Sequence, residues 1–471
     1  MARKRIESFI LENVEIIDAA SDGKAVAKHD GKVFFVKQGV PGDVVDIKVY
    51  KKNKRFFEAE IVKQIKPSPY RQSHPCMHFG YCGGCKWQHM SYSAQLQYKQ
   101  KQVIDAFERI GKLSVENIEQ ILPAPDEYYY RNKLEFTFSH AAWLKPEELN
   151  NPQIIPAPAL GFHIPGMFDK ILPIHQCLLM DDIQNKIRNS LYTFALNNNI
   201  SFFNLKVQSG LLRNLVVRIS NTNQLMVIVI FNSHSKEDEI NQIKILEFLN
   251  NNFPQITSLQ YIVNNKRNDS YADLPVNLYY GLPYLEEKME SLTFRISANS
   301  FFQTNSKQAL QLYKLTRDFA ALSGNEMVYD LYTGTGTIAN FIALKCKKVI
   351  GLEYVSAAVK DAEINSQING IVNTLFFAGD MKDILTDDFI HTHGKPDVVI
   401  TDPPRSGMHQ DVVKVILNAA PDKIVYVSCN PQTQARDLAL MKDVYFISKI
   451  QPVDMFPHTH HVENIVLLEK K

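Results

Sequence analysis

The stretch Met327-Val-Tyr-Asp-Leu-Tyr-Thr-Gly-Thr-Gly-Thr337 decides the fold. Strand-forming residues from Met327 to Leu331 run into a loop with glycine at 334 and 336, and that loop opens a helix. Glycines at such a junction let the backbone turn tightly and approach a ligand. Gly-x-Gly alone is weak evidence, but the next strand, Lys348 to Leu352, delivers Glu353 to the same end of a sheet. A carboxylate there can accept hydrogen bonds from both hydroxyls of a ribose. Upstream, Lys307 to Leu322 reads as a helix. Downstream, Ala357 to Gln367 (helix), Asp397 to Thr401 (strand), Asp411 to Asn418 (helix) and Lys423 to Val427 (strand) continue the alternation. This βαβ repetition predicts a mainly parallel, Rossmann-like sheet with helices on both faces over residues 298–471.

The loop suits either a dinucleotide or S-adenosylmethionine, and two features favour the latter. The third glycine of a dinucleotide fingerprint is missing, Ala339 being the nearest small residue. Acidic Asp330 opens the loop, which fits a cationic ligand better than a pyrophosphate. Asp380, in Ala378-Gly-Asp380, would end the third strand, where an adenine amino group could be held. Helix capping is the alternative role for Glu353 and Asp380.

Three further features carry chemistry. Asp402-Pro-Pro-Arg405 falls at the end of the fourth strand, beside the loop. Lys423-Ile-Val-Tyr-Val-Ser-Cys-Asn-Pro431 runs a strand into Cys429 and breaks it with Asn-Pro, which aims a thiol into a cleft. Glu463 begins a last apolar run. Carbon 5 of uracil is a poor nucleophile, and a thiolate adding to carbon 6 makes it an enolate that can attack a sulfonium methyl. A base must then remove the carbon 5 proton so that the thiol can leave. Cys429 fits the nucleophile and Glu463 the base. A free thiol titrates near 8.5, and a helix starting near Gln432 is expected to lower Cys429 through its N-terminus. A D/N-P-P motif also occurs in nucleic-acid amino-methyltransferases, followed there by an aromatic residue where this chain has Arg405. Exocyclic-amine methylation is therefore the alternative chemistry.

The rest of the 471 residues reads as two more units. Short strands in residues 1–66 (Val33 to Val36, Val44 to Val49, Phe57 to Val62), punctuated by Asp22-Gly23, Asp30-Gly31 and Pro41-Gly42, predict an OB-like barrel. Residues 67–297 predict an α+β domain with strands at Leu134 to Phe138, Leu215 to Ile219 and Leu225 to Phe231. A helix over Ser91 to Ile110, with apolar positions at Leu96, Val103, Ile104 and Phe107, is expected to pack on the catalytic domain. The formal charge of +2 is nearly neutral, but Lys51-Lys-Asn-Lys-Arg55 makes the barrel locally basic, a face for a polyanion or a solvated hairpin tip. The longest apolar run, Leu225 to Phe231, is too short for a membrane span. With no apolar stretch behind the basic N-terminus, the expected location is cytoplasmic.

Cys76, Cys82 and Cys85 share one loop wrapped by Gly80, Gly83 and Gly84, and Cys177 is the candidate fourth ligand. Four thiolates suit zinc or an iron–sulfur cluster, and spacing leaves both open. His458, His460 and His461 are expected to support the site or touch RNA rather than bind metal, and Cys346 to sit in the core.

Taken together, the chain resembles RNA uracil-5-methyltransferases acting on 23S ribosomal RNA. The resemblance rests on the barrel, the cysteine loop, Ser300-Phe-Phe-Gln-Thr-Asn305, Asp330-Leu-Tyr-Thr-Gly334, Asp402-Pro-Pro-Arg405, Ser428-Cys-Asn-Pro431 and Asp454-Met-Phe-Pro-His-Thr-His-His-Val-Glu463. It implies that the barrel is an RNA-gripping TRAM domain. It implies that Gln303, Tyr332, Glu353, Asp380 and Asp402 contact S-adenosylmethionine, that Cys429 is the nucleophile and that Glu463 is the base. It also implies a [4Fe-4S] cluster on Cys76, Cys82, Cys85 and Cys177, and a monomer. Transfer RNA relatives usually lack barrel and cluster, which points to ribosomal RNA, with transfer RNA as the alternative. Thr333 and Thr337 depart from the cysteine and asparagine that relatives carry there.

Overall fold

The computed structural model describes residues 7–149, 151 and 153–471. The chain begins with a closed barrel of β1 (Phe9–Ala19), β2 (Ala25–His29), β3 (Lys32–Lys37), β4 (Val44–Lys52) and β5 (Phe57–Lys66), in the order β1-β2-β3-β5-β4. Alternate residues such as Val45, Ile47 and Val49 fill its interior, as the two-residue period of a strand requires. The cysteine loop follows, and then α1 (Tyr92–Ala106), which ends in a π-helical turn, Phe107–Gly111.

The central sheet has the order β12-β11-β10-β9-β6-β7-β8. Its strands are β6 (Lys133–Ser139), β7 (Ala159–Ile164), β8 (Met167–Pro173), β9 (Leu212–Ile219), β10 (Leu225–Phe231), β11 (Ile256–Val263) and β12 (Asn277–Gly281), joined by α2 (Asp182–Asn197) and α3 (Lys236–Asn252). Every residue of β10 is buried, which explains its unbroken apolar run. The hairpin β13 (Tyr284–Met289) and β14 (Leu292–Ser297) leads into the last domain.

That domain is a seven-stranded sheet in the order β17-β16-β15-β18-β19-β21-β20. Its strands are β15 (Met327–Leu331), β16 (Lys348–Glu353), β17 (Thr374–Ala378), β18 (Val398–Thr401), β19 (Lys423–Ser428), β20 (Tyr445–Val453) and β21 (Glu463–Lys470). Its helices are α4 (Ser306–Ala320), α5 (Thr337–Ala343), α6 (Ser356–Ile368), α7 (Met381–Ile384), α8 (Asp387–His393), α9 (Gln410–Ala419) and α10 (Pro431–Ala439). The first five strands are parallel, and β21 inserts antiparallel between β19 and β20. Successive residues feed opposite faces: Val328 and Val425 join one core, Tyr329 and Ile424 the other. Strand order reverses between β15 and β18, the switch point where open α/β sheets bind ligands.

Helix α1 packs on this last domain through Val103, Ala106 and Phe107, in one core with Ala435 and Leu438 of α10. A side chain at Gly111 would meet the Ala435 carbonyl at 2.9 Å, so the helix end seats directly on α10, the helix that follows Cys429. The face buried by α1 matches the apolar one read in the sequence at Val103 and Phe107 but not at its other two positions. Gln95 and Lys99 are fully buried, whereas Leu96 and Ile104 are only half-buried, because the helix meets a polar loop as well as an apolar sheet. Cys346 is buried. No helix among the described residues is long and apolar enough to cross a membrane.

Candidate active site

A cavity of about 1070 Å³ opens at the switch point. Gln303, Tyr332, Glu353, Asp380 and Asp402 all line it, as do Thr333 and Thr337. The loop after β15 makes its floor. Gly336 sits at φ +72° at the N-terminus of α5, and a Cβ there would fall 2.7 Å from Cβ of Ala362. Tyr332 holds φ +64°, an uncommon conformation for a bulky residue and one that tends to persist where the surroundings fix it. Glu353 braces the loop: its Oε2 accepts the Gly334 amide at 3.0 Å and its Oε1 the Val355 amide at 2.9 Å. Asp380 both lines the cavity and caps α7 by accepting the Lys382 amide at 3.2 Å.

Asp330 does not face the ligand space as expected. It lies beneath the loop, where Oδ2 accepts the Ala339 amide at 3.0 Å and the Thr333 hydroxyl, and burial pushes it up to about 7. Its main work is to hold the loop. Asp402, half-buried in the cavity wall, is also pushed up to about 7 by its burial. Tyr313 on α4 is a cavity-lining residue that sequence reading missed; the nearby charges of Asp402, Asp330 and Glu463 add to the burial that keeps its phenol protonated.

Cys429 follows β19 and lines an adjoining cavity of about 200 Å³ with Arg405, His460, His461, Ser21 and Gln102. Ser21 comes from the barrel and Gln102 from α1, so three domains build this wall. The barrel turn is anchored there: Gln432 Nε2 donates to Ser21 Oγ at 2.9 Å and the Trp87 indole to the Gly23 carbonyl at 3.1 Å. Asn430 caps α10, with its side chain accepting the Gln432 amide at 3.1 Å, and Pro431 occupies the first turn. The expected lowering of the thiol is absent from the free protein. Burial, followed by the charges of Glu463 and Asp402, pushes Cys429 up to about 11 against the pull of Arg405. The helix end is already satisfied by its Asn430 cap, and burial is the dominant influence on the thiol.

Glu463 opens β21, opposite Val453 of β20. Burial, reinforced by Asp402 and opposed by Arg405, holds its carboxyl well above the usual range, which makes it a stronger proton acceptor once ionised. His458 is fully buried and therefore out of reach of RNA, whereas His460 and His461 face the Cys429 cavity. Burial pushes His460 to about 4 and His461 to about 3, so both present neutral imidazoles.

Cys76, Cys82, Cys85 and Cys177 are free, half-buried thiols. Burial, with the charge of neighbouring thiols adding to it, pushes Cys82 up to about 11 and Cys85 to about 12, and Cys177 upward as well. An all-sulfur donor set fits a soft centre. Among the described residues no three Cys, His, Asp or Glu side chains converge tightly enough for a single metal ion.

Comparison with known proteins follows this geometry. The model of the tRNA (uracil-5-)-methyltransferase family matches residues 222–471, and that of the TRAM domain residues 12–62. An uncharacterized RNA methyltransferase of Bacteroides thetaiotaomicron is 54% identical over 452 residues, covering 96% of this chain and 99% of that one. One of Porphyromonas gingivalis is 52% identical over 463 residues, covering 97% and 99%. Among solved structures, Pyrococcus abyssi tRNA (uracil-54, C5)-methyltransferase in complex with S-adenosyl-L-homocysteine superposes with a TM-score of 0.73 at 27% identity. That match covers 97% of this chain and 100% of the archaeal one, so the barrel region does not by itself set ribosomal enzymes apart from transfer RNA enzymes. With a TRAM barrel in front of a cofactor cavity and a cysteine beside it, this chain belongs to the tRNA (uracil-5-)-methyltransferase family.

Proposed function

We propose that the protein methylates carbon 5 of a uridine in 23S ribosomal RNA, with S-adenosylmethionine as methyl donor. The observation that carries the chemistry is the meeting of Cys429, Glu463 and Asp402. Each carboxyl perturbs the thiol, and the thiol lies beside the cavity that holds the cofactor-contacting candidates. Gln303, Tyr332, Glu353, Asp380 and Asp402 would hold S-adenosylmethionine, which supplies an electrophilic methyl group. Cys429 Sγ adds to carbon 6, carbon 5 takes the methyl, and Glu463 removes the carbon 5 proton. The electrons of that C–H bond restore the ring double bond and expel the thiolate. The target uridine has to leave its stack to reach the thiol, and the basic barrel adds salt-sensitive affinity.

The test is RNA carrying 5-fluorouridine at the target. Fluorine cannot leave as a proton, so a covalent protein–RNA adduct accumulates. It should be absent from Cys429→Ala. Methylation that survives Cys429→Ser would favour exocyclic-amine chemistry through the Asp402-Pro-Pro motif instead.

Transfer RNA is the second reading, favoured by the full-length superposition on the archaeal enzyme. Mass spectrometry of ribosomal and transfer RNA from a deletion strain separates the two by which one loses 5-methyluridine. We further propose that Cys76, Cys82, Cys85 and Cys177 hold a [4Fe-4S] cluster, on the strength of the all-thiol donor set. Protein purified without oxygen should contain iron and acid-labile sulfide in equal amounts, and Cys85→Ser should contain neither.

A further inference from the structure

The connection between β20 and β21 runs from Asp454 to Val462 and carries no regular structure until Glu463. Other elements hold it from outside. Four consecutive carbonyls each accept from a different source. Met455 O takes Asn305 Nδ2 at 2.9 Å, Phe456 O takes Lys99 Nζ at 3.0 Å and Pro457 O takes the Tyr130 hydroxyl at 3.0 Å. His458 O takes the amides of Lys86 and Trp87 at 2.8 and 3.0 Å. Lys99 also pairs with Asp454 at 2.6 Å, both side chains being wholly removed from solvent. One turn earlier on the same face of α1, Gln95 Oε1 accepts the His458 amide at 2.8 Å, with His458 at φ +65°.

A buried ion pair is weak evidence of stabilisation, because desolvation offsets most of its attraction. Its use here is geometric. Among the described residues no hydrogen bond reaches the buried Glu463 carboxyl, which stands at the start of β21 opposite Val453, so its aim depends on the backbone that carries it. We propose that Lys99 is a positioning residue for Glu463: α1 sets the β20–β21 connection so that the carboxylate reaches the carbon 5 proton. This rests on the covalent reaction given above. The step it governs is the last one, in which Glu463 accepts that proton, the C5=C6 bond reforms and the Sγ–C6 bond breaks. Misplacement of the base therefore traps protein on RNA.

The test uses the full-length protein, radiolabelled S-adenosylmethionine and total RNA from a deletion strain, with ordinary uridine at the target. Lys99→Met combined with Asp454→Leu removes both charges together, and Tyr130→Phe removes one donor with little risk to folding. The expected result is slower release of 5-methyluridine, tenfold or more in the double variant and a few-fold in Tyr130→Phe. A methylated protein–RNA adduct that survives denaturant should rise in parallel. If adduct and product fall together, or neither changes, the proposal is overturned. Should the double variant not fold, Tyr130→Phe alone decides by the same criterion. Absence of an adduct between the unaltered protein and 5-fluorouridine RNA would refute the covalent reaction itself, a separate failure.

Discussion

Glu353 Oε2 accepts the amide of Gly334 at 3.0 Å. The carboxylate that ends β16 is thus locked to the loop that ends β15 before any ligand arrives. Such preorganisation spares the cofactor part of the ordering cost of binding. Glu353→Ala should weaken S-adenosylmethionine binding about 10- to 100-fold, roughly 1.4–2.8 kcal/mol. Glu353→Gln should lose less, since one oxygen remains. Calorimetric titration of both variants checks this.

Gly336→Ala should be as damaging without touching any charge. The new methyl group would fall 2.7 Å from Ala362 Cβ in a backbone conformation that L-residues rarely adopt. Such strain costs on the order of 1–3 kcal/mol. The expected outcome is a lower melting temperature together with lost cofactor affinity, read by thermal denaturation with and without S-adenosylhomocysteine.

Cofactor binding should depend on pH around neutrality. Asp402, raised to about 7, is largely neutral below that pH and ionised above it. A cationic sulfonium favours the ionised form, so its affinity should rise from pH 6 to pH 8 and its binding should release protons. Titrations in buffers of different ionisation enthalpy measure that release. S-adenosylhomocysteine, whose sulfur carries no charge, should show a flatter profile.

Cys429 should be a sluggish thiol in the free protein. With its pKa at about 11, alkylation by iodoacetamide should be slow at pH 7.5 and accelerate about tenfold per pH unit up to that value. Arg405→Ala should slow it further, because Arg405 draws the thiol down. Peptide mass spectrometry after timed labelling gives the rates.

Glu463→Gln should add to carbon 6 and accept the methyl group yet fail to finish. Turnover should fall about 10²- to 10⁴-fold, with the adduct to ordinary uridine accumulating. Denaturing gels of enzyme with labelled RNA would show it.

The sequence made the strands most legible where burial is two-sided. Leu225–Phe231 and Met327–Leu331 appear in the structure with the bounds read from their apolar runs. Asp402, Cys429 and Glu463 could be placed because each ends or begins such a strand. Lys99 could not. Its partner Asp454 lies 355 positions away, and a lysine inside a helical pattern ordinarily marks a solvated face. Tyr313 escaped for a related reason: an aromatic on the inner face of a helix looks the same whether it meets carbon or carboxyl groups. The thiol was misjudged because one helix end is visible locally, whereas the burial that raises it, and the carboxyl groups of Glu463 and Asp402 that add to it, come from distant parts of the chain.

The seating of Ser21 and Gly23 against Gln432 and Trp87 bears on how this protein can be re-engineered. Swapping the front module for another RNA-gripping unit would be more than a change of address label. Any replacement has to present an equivalent turn, or the cavity around Cys429 loses the side that Ser21 supplies. Modular exchange at this junction therefore demands a graft of the contact patch along with the fold that bears it.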